Sequence, residues 1–150
     1  MAPKRLTGEE LRAARLNAQV VAGTWLLQVD KGDYTGSWET AASPLQNRLG
    51  KGEWNQGLSK ARTPFGELQR RHFLKTLYTN KLQPAGHHVV VNYHSQFANS
   101  AAKESVTVLK DADDQWRVIM YGIEKTDTPP PEAPPSPPQE ESSEETTSSP

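Results

Sequence analysis

A tryptophan-rich stretch, TWLLQVDKGDYTGSW, covers residues 24–38. It carries Trp25 and Trp38, two of the four tryptophans of the chain, on either side of a polar turn over residues 30–33. We predict that Trp25 lies near the end of one helix, that Trp38 lies on the next, and that both rings point toward one sheet. A buried aromatic side chain removes roughly 150–250 Å² from water, so this turn defines a corner of the core.

Upstream of the turn, apolar residues recur every three or four positions, which predicts a helix over about residues 8–30. Its buried stripe consists of Leu11, Ala14, Ala18, Val21, Trp25 and Val29. Thr7 and Glu10 have the spacing of a capping box. Gly32 stands where a left-handed residue ends a helix. Both ends of this helix are therefore predicted from local chemistry.

Downstream of the turn, the pattern predicts a second helix over about 34–49 and a short third helix over about 52–61. The second helix has a kink at Pro44, because proline removes a backbone hydrogen bond. One face of it carries Trp38, Ala41, Ala42, Leu45 and Leu49. The third helix carries Trp54 and Leu58.

From Glu67 onward the apolar period changes to two, which is typical of strands. The predicted strands cover residues 67–78, 87–97, 103–111 and 115–125, with a tight hairpin turn at 111–114. Helices followed by antiparallel strands indicate the α+β class. The expected architecture is a set of N-terminal helices packed on a curved four-stranded antiparallel sheet.

Composition divides the chain into a domain over residues 6–125 and a tail over residues 126–150. The tail holds eight of the twelve prolines and six acidic side chains, and it has no aromatic residue and no Leu, Ile, Val or Met. We predict that it is disordered, because it cannot bury enough apolar surface to offset the entropy of ordering. No apolar run is long enough for a transmembrane helix.

Three segments, WLLQVDKGDYTGSW, RTPFGELQR and QWRVIMYGI, together resemble a bacterial family, domain-of-unknown-function family 4019. The likeness covers about residues 11–124. The matching positions are Trp25, Leu26, Val29, Asp30, Gly32, Tyr34, Ser37, Trp38, Arg62, Pro64, Gly66, Arg70, Tyr93, Phe97, Glu104, Val106, Trp116, Arg117, Val118 and Tyr121.

This resemblance implies a bacterial protein of the envelope, since members of the family usually begin with an export signal. We therefore expect a periplasmic or secreted location if a leader was removed, and a cytoplasmic one otherwise, because the sequence as written starts without an apolar leader. The layout also resembles the cystatin-like or NTF2-like roll. That roll hosts enzymes, binding modules and assembly domains alike, so it says little about function.

Charged residues near the predicted core give the candidate site. Arg62 and Arg70 frame a Pro-Gly turn, and Glu104 lies on a strand among apolar residues. One interpretation is a buried or half-buried ion pair that ties the helices to the sheet, since buried charges need partners. The other is an anion or carboxylate pocket in which an arginine presents its bidentate fork. Trp38, Tyr93 and Tyr121 would then form its walls.

Other chemistries find little support in the sequence. His88 and His94 share a strand face but stand roughly 20 Å apart at about 3.3 Å per residue, so this strand alone makes no metal site. His72 on a neighbouring strand adds at most one further ligand. The sequence lacks the motifs of serine hydrolases, zinc proteases and phosphate-binding loops, and it has no cysteine nucleophile. We assign no catalytic residue and expect no cofactor and no metal.

The sequence thus favours a non-catalytic binding or protein-interaction module over an enzyme. A small enzyme with a pocket between helix and sheet stays open as an alternative, as does an oligomeric assembly domain that dimerises through its sheet face. The expected partner is an unidentified protein or a small anionic ligand. Residues 1–126 carry seventeen basic against twelve acidic residues. That modest excess disfavours nucleic acid, whose binding is driven by many cationic contacts.

Overall fold

The computed structural model describes residues 3–131 and shows helices first and strands second. The helices are α1 (Gly8–Asp30), α2 (Tyr34–Glu39), α3 (Ser43–Arg48) and α4 (Lys51–Arg62), followed by a 3-10 turn (Thr63–Phe65). The strands are β1 (Leu68–Thr79), β2 (His88–Phe97), β3 (Ala101–Lys110) and β4 (Trp116–Lys125). They form one antiparallel sheet in the order β1-β2-β3-β4. The predicted α+β class and the four predicted strands are confirmed.

Only the start of the predicted tail lies within the described residues. The Thr126 amide donates to the Ala101 carbonyl at 3.1 Å, and His94 Nε2 donates to the Thr128 carbonyl at 2.8 Å. Residues 126–128 therefore hydrogen-bond to the sheet. The prediction of disorder for residues 132–150 lies outside the described part of the chain.

Helix α1 is the long helix that the apolar period predicted, and it packs on one face of the sheet. Its fully buried side chains are Ala14, Ala18, Ala22, Trp25, Leu26 and Val29. Gly32 has φ +82°, as predicted for the residue that ends the helix. The predicted capping box is wrong, because the Thr7 side chain makes no cap hydrogen bond. Gly8 takes φ +55°, outside the right-handed helical region that follows a standard cap.

The predicted helix over 34–49 is wrong, because the chain forms two short helices there instead. Residues 40–42 separate α2 from α3, and Pro44 lies in the first turn of α3. A proline fits this place because the first amides of a helix have no internal partner. The break also lets the Ala42 amide donate to the Val118 carbonyl at 2.7 Å, on the edge strand β4.

The two faces of the sheet are named here by their relation to α1: the inner face packs against α1, and the outer face lies opposite. Strand β1 contains two irregularities, at Gln69 and at Leu74, where an extra residue has no partner on β2. Each extra residue exchanges the faces of the residues beyond it. Arg71 therefore pairs with Ser95 on the inner face, while Arg70 pairs with Gln96 on the outer face.

The core has two parts, and the two tryptophans of the opening stretch pack in different parts, each against residues of the one sheet. Trp25 belongs to the main cluster between α1 and the sheet. Trp38 packs instead on a smaller cluster with Ala41, Ala42, Leu45, Leu109 and Ile119 near the β4 edge. The indole N–H of Trp25 donates to the Ser37 carbonyl and that of Trp38 to the Leu49 carbonyl, each at 2.9 Å. The two rings thus tie α2 to different neighbours.

Candidate functional site

A charged network lies where the C-terminal ends of α1 and α4 meet the inner face of the sheet. Its centre is Asp30, the last residue of α1. Arg71 grips this carboxylate with both terminal nitrogens, Nη1 to Oδ2 at 2.8 Å and Nη2 to Oδ1 at 3.0 Å. Arg62, the last residue of α4, donates from Nη2 to Asp30 Oδ1 at 3.0 Å. Two helices are thereby attached to strand β1.

Glu104 on β3 extends this network across the sheet and is fully buried. Arg71 Nε donates to Glu104 Oε1 at 2.9 Å, and the Ser95 hydroxyl donates to the same oxygen at 2.5 Å. The Tyr121 hydroxyl donates to the other oxygen, Oε2. Both carboxylate oxygens of Glu104 therefore have donors, as a buried carboxylate requires.

The network is electrically balanced, with two guanidinium groups facing two carboxylates. Burial alone would lower the pKa of Arg71, but its hydrogen bonds to Asp30 and the charge of Glu104 raise that pKa above its usual value. Burial and the neighbouring charge of Glu104 raise the pKa of the Tyr121 phenol. Burial likewise raises the pKa of Tyr93 to about 12. These groups keep their ordinary protonation states near neutral pH.

The structure brings together some of the predicted site residues and separates others. Arg62, Glu104 and Tyr121 belong to the network, and the Tyr93 ring lies 5.8 Å from the Arg71 guanidinium. Arg70 is exposed on the outer face. Trp38 lies in the second cluster, away from these side chains.

The ion-pair interpretation is therefore observed with different partners: Arg71 instead of Arg70 binds Glu104, and Arg62 binds Asp30. Arg62 also places its guanidinium 4.8 Å from the centre of the Phe97 ring. Its Nε and Nη1 atoms are buried and have no hydrogen-bond partner among residues 3–131. The cation–π contact of the Arg62 guanidinium with the Phe97 ring compensates part of the cost of these missing hydrogen bonds.

Next to the network, helix α4 and strand β4 leave an open cleft of about 320 Å³, here called the α4–β4 cleft. This volume is at the lower end of the range of about 300–1,000 Å³ that is usual for small-molecule sites. The cleft is lined by Leu49, Glu53, Trp54, Gly57, Leu58, Ala61, Tyr121 and Ile123. Most of these side chains are apolar, and Glu53 is the charged residue among them.

Helical spacing explains how α4 builds one wall of the cleft. Trp54, Leu58 and Ala61 recur at intervals of three or four residues, so they share a helix face. Gly57 lies in the same wall, and a Cβ atom added to it would meet nothing within 4 Å. The Trp54 ring lies 6.2 Å from the Trp25 ring, which in turn lies 5.4 Å from Tyr121. These aromatic contacts hold the cleft wall in place without filling the space at Gly57.

A second depression, of about 470 Å³, lies over Gly122 on β4 and includes Lys75, Lys103 and Glu124. Lys75, Lys103 and Glu124 are exposed, whereas Glu104, which also lines the depression, is buried in the network. His72 and His94 lie 6.4 Å apart between ring centres on the neighbouring strands β1 and β2. Among residues 3–131, no cluster of three or more histidine or acidic side chains is arranged to hold a metal ion. In the same part of the chain, none of the helices is both long and apolar enough for a membrane span.

Sequence reasoning missed Arg71, Asp30 as a network member, and the cleft residues Trp54 and Gly57. Asp30 and Arg71 are far apart in sequence, and the faces of β1 depend on its two extra residues. Gly57 is detectable in the sequence, because a glycine inside a helix costs about 1 kcal/mol relative to alanine. Such a glycine can indicate a position where a side chain would occupy needed space.

Comparisons with known proteins agree with this fold. The sequence matches the family described as "Protein of unknown function (DUF4019)" over residues 21–121. This match confirms the resemblance seen in the sequence motifs. None of the curated proteins compared with the chain matches it.

A solved structure described as "2.5 Angstrom structure of from Catenulispora Acidiphila" is similar to this chain with a TM-score of 0.51. The two sequences are 11% identical, and the alignment covers 77% of this chain and 93% of the other. At this identity the likeness shows the fold alone.

Proposed function

This chain belongs to the DUF4019 family of proteins of unknown function, and from its geometry we propose that it is a non-catalytic binding module. The ligand group that we propose is apolar, of about the size of a leucine or phenylalanine side chain, and it enters the α4–β4 cleft. The observation that carries this proposal is the contrast at Tyr121, where a charge-balanced polar network adjoins an unfilled apolar cleft.

The charged network supports a structural role rather than the anion pocket considered from the sequence. Each carboxylate of Asp30 and Glu104 is engaged by arginine, so no net positive charge is left to attract an anion. Arg70, which the anion hypothesis also needed, lies on the other face of the sheet. Glu53 at the cleft adds a negative charge, which disfavours an anionic ligand there as well.

The same contacts weigh against the enzyme alternative. A general base needs a pKa near the working pH and a free lone pair directed at the substrate. The pKa of Tyr121 is raised by burial and by Glu104, so the phenol keeps its proton near neutral pH. Its hydroxyl hydrogen is already donated to Glu104. The Tyr121 phenol and the Glu104 carboxylate bind each other, so neither is available for proton transfer to a ligand in the cleft.

The apolar lining supports an apolar ligand group on energetic grounds. Removing apolar surface from water yields about 25 cal/mol per Å², so binding there gains free energy without any charged contact. The group can belong to a small molecule or to a side chain of a partner protein. The envelope location stays part of the proposal and rests on the export signals usual in the family.

The test is an NMR titration with 1-hexanol and with hexanoate, two probes that differ in charge and share an apolar tail. We expect 1-hexanol to shift the amide signals of Trp54, Gly57 and Ile123, and hexanoate to bind more weakly because of Glu53. Gly57→Leu fills the cleft and should abolish these shifts. Gly52→Leu, at an open position of the same helix outside the cleft, is the matched control and should preserve them.

The outcomes separate the hypotheses. If 1-hexanol shifts none of these signals, or binds Gly57→Leu as tightly as the wild type, the cleft is not the binding site. If hexanoate binds and 1-hexanol does not, the anion hypothesis replaces this proposal.

A further inference from the structure

Helix α1 carries a second apolar stripe on the side that faces away from the sheet. Leu16, Val20 and Leu27 are 58%, 69% and 57% exposed. Single exposed apolar residues are common, but a line of them on one helix face marks an interaction surface. Their spacings of four and seven residues place all three on one line along the helix.

The ends of this stripe carry opposite charges. With 3.6 residues per turn, Glu9 and Ala13 fall on the same line at the N-terminal end, and Lys31 falls on it just after the helix. The stripe therefore has an acidic end, an apolar middle and a basic end. Its only ion pair in the described chain joins Glu9 to Arg12 at 3.7 Å, and both side chains of that pair are largely exposed.

We propose that this stripe is a dimer interface, in which α1 packs antiparallel against α1 of a second copy with the two-fold axis at Val20. Positions 9 and 31, and positions 13 and 27, lie at equal distances from residue 20. The pairing therefore sets Leu27 against Ala13 of the second copy, a large side chain against a small one. Leu16 meets Thr24 of the second copy, and the adjacent Gly23, where an added Cβ would have open space around it, leaves room for the leucine.

Charge complementarity selects both the occupant and its direction. The antiparallel pairing brings Glu9 beside Lys31 of the second copy, twice in each dimer. A parallel pairing would bring like charges together at both ends, which is unfavourable. An isologous interface needs a surface that complements itself, and this stripe does.

The size of the surface sets the expected strength. One helix face buries less than the roughly 800 Å² per partner of a standard interface, so the dimer depends on concentration. The α1 stripe shares no residue with the α4–β4 cleft, so dimer formation is independent of the proposed ligand binding. It also differs from the sheet-face dimer that the sequence left open as an alternative and that would use the outer face around Met120.

Sedimentation velocity of the full chain across a concentration series tests the interface. We expect the mass to rise from 16.6 kDa toward twice that value with concentration. Val20→Glu places two carboxylates at the axis and should keep the protein monomeric. Met120→Glu, at a residue 55% exposed on the outer face of the sheet, is the matched control and should dimerise like the wild type. A chain that stays monomeric at millimolar concentration, or a dimer lost in Met120→Glu and kept in Val20→Glu, would overturn the proposal.

A cysteine cross-link tests the axis itself, because the chain has no cysteine of its own. A disulfide forms when two Cα atoms lie about 4.4–6.8 Å apart, a distance available only near the two-fold axis. Oxidised Val20→Cys should run as a covalent dimer at a concentration where oxidised Met120→Cys stays monomeric. Equal cross-linking of the two variants would contradict the predicted axis.

Exchanging the end charges tests the direction of packing. Glu9→Lys alone and Lys31→Glu alone should each weaken the dimer, because each creates like-charge neighbours. The double variant should restore it, since the opposite charges meet again. Failure of the double variant to recover would rule out the antiparallel arrangement.

Discussion

Tyr121 belongs to two neighbouring regions that are built in opposite ways. Its hydroxyl joins a network in which both carboxylates are held by arginine, and its ring lines a cleft in which apolar side chains face open space. The carboxylates and guanidinium groups of the network bind one another, so the network holds the fold together. The apolar side chains of the cleft are not fully covered by other residues, so a ligand that covers them gains free energy of binding. The charged residues that stand out in the sequence are therefore the structural part of this molecule.

The largest effect on stability is expected at Arg71, which joins the two carboxylates of the network. Arg71→Leu leaves Asp30 and Glu104 without their shared partner, and removing one member of a buried ion pair costs about 3–5 kcal/mol. We expect this loss in the free energy of unfolding measured by urea denaturation. Arg70→Leu changes the adjacent residue on the exposed face and should stay within about 0.5 kcal/mol of the wild type. Equal losses in the two variants would contradict the described network.

A smaller effect separates the two roles of Tyr121. Tyr121→Phe keeps the ring in the cleft but leaves one oxygen of Glu104 without its donor. We expect a loss of about 1–3 kcal/mol in the free energy of unfolding, the usual cost of an unsatisfied buried polar group. The affinity for 1-hexanol should stay unchanged in the NMR titration. A large loss of affinity with unchanged stability would reverse the assignment of the two regions.

The third prediction concerns Gly57, where stability and binding should move in opposite directions. Gly57→Ala raises helix propensity by about 1 kcal/mol, and its methyl group enters the cleft without a clash. We expect a higher melting temperature together with weaker binding of 1-hexanol. Gly52→Ala, in the same helix, should stabilise without affecting binding. If both variants bind alike, the space at Gly57 does not serve the ligand.

The smallest expected effect lies outside both regions, at His88, which is 1% exposed. Burial lowers the pKa of His88 below that of the unfolded chain, which is about 6.5. The unfolded chain therefore takes up more protons as the pH falls below that value, and the free energy of unfolding decreases from pH 7 to pH 5. His88→Gln should flatten this slope in urea denaturation, and an unchanged slope in this variant would contradict burial of His88 as its cause. Burial also lowers the pKa of His87, so the His88→Gln variant should keep part of the slope through this second histidine.

Much of the fold could be predicted because periodicity reports burial directly. The apolar stripe of α1 and the alternation in β2 each identified the correct element. Gly32 takes the positive φ that glycine allows, and it follows the end of α1 as predicted. The break between α2 and α3 was missed because a proline inside a helix and a proline opening one look alike in sequence. Only the contact of Ala42 with β4 distinguishes them.

The site was harder to predict because it depends on register. Side chains of a regular strand alternate between the two faces, so counting back from the buried Tyr78 would place Arg70 on the inner face. The extra residue at Leu74 shifts this alternation by one, and Arg71 lies on the inner face instead. The second stripe of α1 was missed for a different reason. Leu16, Val20 and Leu27 lie on the side opposite a stronger apolar stripe, and that stronger stripe alone explains why the segment is helical.

The most direct test of the binding role is to locate 1-hexanol in solution. Intermolecular nuclear Overhauser effects between the probe and the isotope-labelled protein report contacts of a few ångströms. The account predicts such contacts from the alkyl protons to the Trp54 indole, the Tyr121 ring and the Ile123 methyl groups. Contacts confined to the α1 stripe or to the outer sheet face, with none to these three side chains, would contradict it.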